Sequence, residues 1–280
     1  MRMPPDGADP ADARRSGRMC AILEDMDAAG WIVTAALAVA GLTAGCWLTM
    51  LAARVPRGES LRPPAGRCAA CGLPAGPADL VPLLGWVRLR RRCGECRLAF
   101  GYWYPAAGLV TAAALVAMWL RFGASPELAP FCYLAVVGVA LAFVDARYQR
   151  LPDLLTLPSY PVAVAALGVS ALFLPGGGRH FSDALIGMAA VWLLFLLQVL
   201  IYPAGMGWGD VKLSGLIGLY LGWFGAGAVL AGLLGGYLLA AVTGLGLVAA
   251  RRATRKSRLP FGPFMLAGAL AVIVIPALSR

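Results

Sequence analysis

Apolar residues in this chain come in long unbroken runs, and the segments between the runs hold nearly all of the charge. A bilayer core about 30 Å thick is crossed by roughly 20 apolar residues in a helix. Runs at 31–51, 104–120, 131–144, 154–174, 184–202, 213–221, 225–250 and 264–278 are therefore read as spans. The third and sixth are short; such segments tilt, or are lengthened by polar neighbours that face protein instead of lipid. The pattern predicts an all-α polytopic membrane protein of about eight transmembrane helices.

Composition agrees. Of 280 residues, 60% are hydrophobic and 14% charged, whereas soluble domains carry about a quarter charged residues. Lipid is the natural solvent for that much apolar surface. The net charge of +10 raises nucleic acid as a partner, but the basic residues cluster between spans, which is the pattern of membrane orientation. No nucleic-acid partner is expected. Nine arginines fall in 52–103, and four arginines with Lys256 fall in 251–258. Placing both segments in the cytoplasm puts 52–103, 145–153, 205–212 and 251–260 inside, and leaves the opposite loops with few charges. The expected location is the bacterial inner membrane, multi-pass. Residues 1–30 lack the apolar core of a signal peptide and are read as a disordered tail.

Between the first two spans, Cys68-Ala-Ala-Cys71 and Cys93-Gly-Glu-Cys96 stand 21 residues apart. Two Cys-x-x-Cys turns complete a tetrathiolate site suited to Zn²⁺, and four sulfurs leave no open position for catalysis. A cytoplasmic location disfavours disulfides. Residues 52–103 are thus expected to form a small cytoplasmic module held by structural zinc through Cys68, Cys71, Cys93 and Cys96. Cys46 and Cys132 read as small apolar packers.

Two aspartates end apolar runs: Asp145 follows Val144, and Asp210 lies in Gly205-Met-Gly-Trp-Gly-Asp210-Val-Lys212. Ionisable groups at membrane depth are costly and are functional candidates, and the topology places both at the inner face. Neighbouring carboxylates hold one proton between them. One can then act as general base on water while the other polarises a scissile carbonyl. The glycines at 205, 207 and 209 are expected to admit a peptide backbone and to supply positive φ. An aspartate at a helix end is also commonly an N-cap or interfacial residue. Asp153 is read as a cap of the next span, and Lys212 as a partner of Asp210 or a snorkelling residue. His180 is read as a solvated loop residue. No Gly-x-Ser-x-Gly, His-Glu-x-x-His or Walker loop is present, which argues against those protease and NTPase classes.

From about Trp47 to Ala267 the chain resembles the bifunctional leader peptidases and N-methyltransferases of type IV prepilins. Four signatures carry the resemblance in order: the paired Cys-x-x-Cys turns; Asp145 followed by Leu151-Pro152-Asp153; Gly205-Met-Gly-Trp-Gly-Asp210-x-Lys212; and Leu259-Pro-Phe-Gly-Pro-Phe264. It implies a membrane aspartic protease of the Gly-x-Gly-Asp type, with Asp145 and Asp210 catalytic. Residues 104–280 would form the membrane-embedded peptidase domain and 52–103 a methyltransferase-like region. Prepilins or pseudopilins of type IV pilus and type II secretion systems are the implied substrates, cut at the cytoplasmic face. Family members that methylate the new N-terminus use S-adenosylmethionine and carry a pattern like Arg-Tyr-Pro-x-x-Glu. Here the stretch is Trp103-Tyr-Pro-Ala-Ala-Gly108, Thr49 stands where Asn is typical, and Arg147 stands where a second Asp is frequent. Methylation is left open on these departures, as is the oligomeric state.

Two other classes compete. A transporter or channel would use the inner-face aspartates to bind cations or protons, though no inverted repeat is visible. A scaffold would use the zinc module to recruit a partner.

Overall fold

The structure is a computed structural model that describes residues 27–54, 103–149, 151–203, 207–252, 254 and 259–275. Among these residues eight helices follow one another: α1 (Ala28–Arg54), α2 (Trp103–Phe122), α3 (Leu128–Tyr148), α4 (Asp153–Leu172), α5 (Gly177–Ile201), α6 (Trp208–Gly222), α7 (Ala226–Ala249) and α8 (Gly262–Val274). Six of them, α1 to α5 and α7, are long and apolar enough to cross a membrane; α8 is a shorter apolar helix and α6 has 15 residues. The fold is that of a multi-pass, all-helical membrane protein. The cysteine segment, with Cys68, Cys71, Cys93 and Cys96, lies outside the described residues, as does most of the N-terminal tail.

Two helices sit at the centre because nothing in their sequences demands contact with water or lipid. In α6 every residue from Leu213 to Gly222 is buried; a helix apolar on all sides belongs in the interior. The second is α3, which buries Leu134, Ala135 and the stretch from Val137 to Ala142. It is also longer than its apolar run, reaching 21 residues. Burial explains the extension: Asp145 and Tyr148 face neighbouring helices, so polar residues at the run's end need not terminate the helix. Its end comes at Gln149, which adopts left-handed backbone and returns its N–H to the Asp145 carbonyl, a common helix-ending geometry.

Small residues let the helices cross at backbone distance. Gly187 of α5 meets Gly218 and Gly222 of α6; a Cβ at 187 would lie 2.6 Å from the Gly218 carbonyl oxygen. Such stripes of small residues replace hydrophobic segregation as the basis of helix association in lipid. The same device joins α1 to α2, where a Cβ on Gly41 would lie 2.6 Å from the Ala112 Cα and one on Gly108 would lie 2.7 Å from the Leu42 carbonyl oxygen.

Chain direction alternates, so one end of the bundle collects the C-terminus of α3 and the N-termini of α4, α6 and α8. The opposite end is closed by Trp223, Glu127 and His180, the last of which was expected in a solvated loop. Trp223 is 1% exposed and donates its indole N–H to Glu127 at 2.7 Å. His180 is part of α5, not of a loop. Its Nδ1 lies 2.9 Å from the Trp223 carbonyl oxygen and its ring stacks on the indole. Helix α5 begins at Gly177, seven residues before its apolar run, because left-handed Gly176 supplies the turn and accepts the Arg179 N–H.

Candidate active site

Asp145 is 6% exposed, in the last turn of α3. A carboxylate there faces the unfavourable end of its own helix dipole and has lost its hydration. The compensation comes from α8. The Gly262 backbone N–H donates to Asp145 Oδ2 at 3.1 Å, and this is the first residue of α8, where N–H groups and the dipole favour an anion. Glycine permits this approach: a Cβ at 262 would lie 2.8 Å from the same oxygen and push the carboxylate away. The stretch Leu259-Pro-Phe-Gly-Pro-Phe264 thereby becomes part of the site, although the sequence reading used it only as a signature. Proline at 263 suits the start of a helix, where its missing N–H costs nothing.

Asp210 lies in the first turn of α6, ahead of that helix's apolar stretch. Its N–H donates to the Gly207 carbonyl at 3.1 Å, and its Oδ2 accepts the Gly207 N–H at 3.3 Å. The carboxylate thus answers an orphan donor at its own helix start. Asp210 and Asp145 interact electrostatically across the α3–α6 contact. Burial first, and the Asp145 charge second, push Asp210 up to about 6, against the Gly207 N–H, which favours the ionised form. Gly262 lies against both Asp145 and Leu213 of α6, so the end of α3 and the start of α6 stand side by side at one end of the bundle.

Three contacts hold the first turn of α6 in place. Lys212 Nζ pairs with Asp153 Oδ1 at 2.7 Å, and the Tyr160 hydroxyl of α4 donates to the Lys212 carbonyl. Leu151 packs on Gly209, where a Cβ would lie 3.1 Å from its Cδ1. Lys212 therefore bonds Asp153 and not Asp210. Asp153 is the first helical residue of α4, after the cap position at Pro152, and makes no capping hydrogen bond. An exposed pair of this kind adds only about 0–1 kcal/mol to stability; its effect is to fix the orientation of α6 against α4.

The expectation for the glycines is corrected. Gly207 has φ −83°, and the positive-φ glycines among the described residues are Gly123, Gly176 and Gly225. Gly209 gives close approach to Leu151, and Gly205 lies outside the described residues. Gln198 of α5 and Tyr237 of α7 were not singled out in the sequence. Tyr237 interacts electrostatically with Asp210 and donates to Gln198 Oε1 at 3.0 Å.

Comparison with known proteins is decisive at this point. The profile of the Bacterial Peptidase A24 N-terminal domain matches residues 39–122, and that of the Type IV leader peptidase family matches residues 132–275, which include Asp145, Asp210 and Gly262. The chain belongs to the type IV leader peptidase family. A Prepilin leader peptidase/N-methyltransferase of Aeromonas salmonicida (strain A449) is 35% identical over 79% of this chain and 75% of its own length. One of Bacillus subtilis (strain 168) is 30% identical over 84% of this chain and 91% of its own length. One of Myxococcus xanthus (strain DK1622) is 34% identical over 67% of this chain, which spans 56% of that relative. No solved structure matches.

In a family of leader peptidases, two interacting carboxylates in apolar surroundings form the natural candidate for the reacting pair. Their coupling can be measured directly. Replacing Asp145 by Asn removes the neighbouring negative charge, so the Asp210 midpoint should fall below its parental value of about 6. Infrared titration of the protonated carboxyl stretch reads this shift; an unchanged midpoint would show that the two side chains do not interact.

Proposed function

We propose that the chain is a membrane aspartic endopeptidase that removes the leader of prepilins or pseudopilins at the cytoplasmic face of the bacterial inner membrane. The single observation that supports it most is the placing of Asp145 and Asp210 at adjoining ends of α3 and α6, with Gly262 between Asp145 and Leu213, in a bundle whose family profile is that of leader peptidases. The relatives' printed names supply the substrate class.

In the proposed reaction the pair carries one proton. The ionised carboxylate takes a proton from water as its oxygen attacks the scissile carbonyl, and the protonated partner donates to the carbonyl oxygen. Collapse of the gem-diol intermediate returns a hydroxyl proton to the carboxylate that had donated, and expels the amine, which takes a proton from the other carboxyl group. Both carboxyl groups end as they began, one protonated and one ionised. Asp145 and Asp210 thus act as a unit, and removal of either stops both halves. A cation-binding transporter would also place carboxylates at depth, but leader-peptidase relatives with names of that kind weigh against it.

Methyl transfer from S-adenosylmethionine is the second reading, carried by the relatives' printed names. The structure bears on one position of it. Gly108, where the resembling pattern has Glu, packs against the Leu42 carbonyl and the Cys46 thiol of α1 with no space for a Cβ. A carboxylate is thus excluded there in this packing, and any methyl transfer by this chain proceeds without one at position 108.

For the cysteine module, the reading rests on sequence spacing. Cys68, Cys71, Cys93 and Cys96 would hold one Zn²⁺ in a closed tetrathiolate, which supplies folding energy to a segment too short for a core of its own. No catalytic step passes through it.

Co-expression with a prepilin, followed by mass spectrometry of its N-terminus, reads cleavage and methylation together. The parent should release the leader, and Asp145→Asn and Asp210→Asn should each lower the cleavage rate by about 10²–10⁴-fold or more while the protein still inserts. Retained cleavage in either variant would defeat the assignment. Elemental analysis of the purified chain should find one zinc per molecule, lost in Cys68→Ser; a metal-free parent, or unchanged zinc in the variant, would overturn the tetrathiolate.

A further inference from the structure

Gln198 is the only side chain of α5 after Asp183 that bears a carboxamide, hydroxyl or charge, and α7 carries only Tyr237 and Thr243 of that kind. A polar group in a membrane helix is costly unless it is partnered or faces the protein interior. These two residues share one hydrogen bond, Tyr237 O–H to Gln198 Oε1 at 3.0 Å. It joins helices that otherwise touch little. On the same helices Leu194, Leu197, Leu234 and Leu238 are exposed, so the bond spans a lipid-facing seam between α5 and α7.

The inner side of the seam is the site. The Tyr237 ring packs on Phe261 with centroids 4.9 Å apart. Phe261 is the residue before Gly262, the donor to Asp145. Phe195 closes the group, 6.1 Å from Phe261 and 6.2 Å from Tyr237. A phenol and a carboxamide therefore stand between lipid on one side and the Phe261–Gly262 step that holds Asp145 on the other, set in an aromatic wall.

A peptide bond inside a helix is shielded from attack, so a substrate arriving as an apolar helix must unwind around the scissile bond. Its freed N–H and C=O groups then have no water to bond and are costly unless partnered. We propose that Gln198 and Tyr237 are the substrate-positioning pair of this site: they exchange their mutual hydrogen bond for bonds to the unwound backbone of the substrate stem entering between α5 and α7. A phenol offers a donor and an acceptor, and a carboxamide offers both, which matches the peptide group they receive. This inference rests on the peptidase reading above.

Steady-state cleavage of a synthetic peptide spanning leader and apolar stem, in micelles, tests it. Tyr237→Phe keeps the ring contacts and removes one hydroxyl. It should raise KM about fivefold to tenfold, the worth of one hydrogen bond, with kcat, the pH profile and the thermal midpoint close to the parent's. Gln198→Met should do the same, and the double variant should lose little more than either single change because the two act as one unit. Parental kinetics in Tyr237→Phe and Gln198→Met overturn the inference alone. So does a fall in the thermal midpoint with KM unchanged, which marks the bond as merely structural. Failure of the parent to cut the peptide overturns both this inference and the peptidase reading.

Discussion

A carboxylate removed from water among apolar helices is unstable unless something replaces its hydration, and Asp145 meets that requirement through one backbone N–H. The donor, Gly262, comes from the far end of the chain and is the first residue of a helix whose dipole points at the anion. The interaction fixes α8 against α3, relies on the close approach that glycine at 262 permits and brings Phe261 to the site. Asp210 is held differently, by the start of its own helix. The two carboxylates therefore approach from separate helices with separate supports.

The rest of the bundle serves this meeting. Helix α6 can carry Asp210 into the interior because it is apolar on every side beyond its first turn, and glycines at 187, 218 and 222 let α5 lie directly on its backbone. The contacts to α4, through Lys212, Tyr160 and Leu151, set the rotation of the turn that bears Asp210. At the opposite end, Glu127, Trp223 and His180 tie α3, α5 and α6 together. Away from the ends, side-chain hydrogen bonds join α3 to α4, through Tyr133 and Ser159, and α5 to α7, through Gln198 and Tyr237.

Much of this was legible in the sequence. Runs of apolar residues announced the eight helices of the described residues, because lipid imposes a length and forbids unsatisfied backbone. The same topology put Asp145 and Asp210 at one end. Helix α3 continues through Asp145, as its short run with protein-facing polar neighbours allowed, whereas the start of α5 was missed because its glycine-rich stretch reads locally as a loop. Partners were missed for a different reason. Lys212 is two residues from Asp210 but points across to Asp153, and no local pattern says which of two nearby acids a lysine will choose. Gly262 left only the faint signal of a glycine between two phenylalanine–proline neighbours. Gln198 and Tyr237 were each a single polar residue in an apolar run, meaningful only once α5 and α7 stand side by side.

The central claim is that Asp145 and Asp210 face each other at one end of the bundle. Thiol cross-linking in membranes tests it without reference to activity. In a chain whose other cysteines are replaced, Asp145→Cys and Asp210→Cys should be joined by a short bifunctional thiol reagent, as should a control pair placed at Asp153 and Lys212. A linked peptide containing both positions, found by mass spectrometry, is the expected result. Cross-linking of the control pair with none between 145 and 210 would contradict the account.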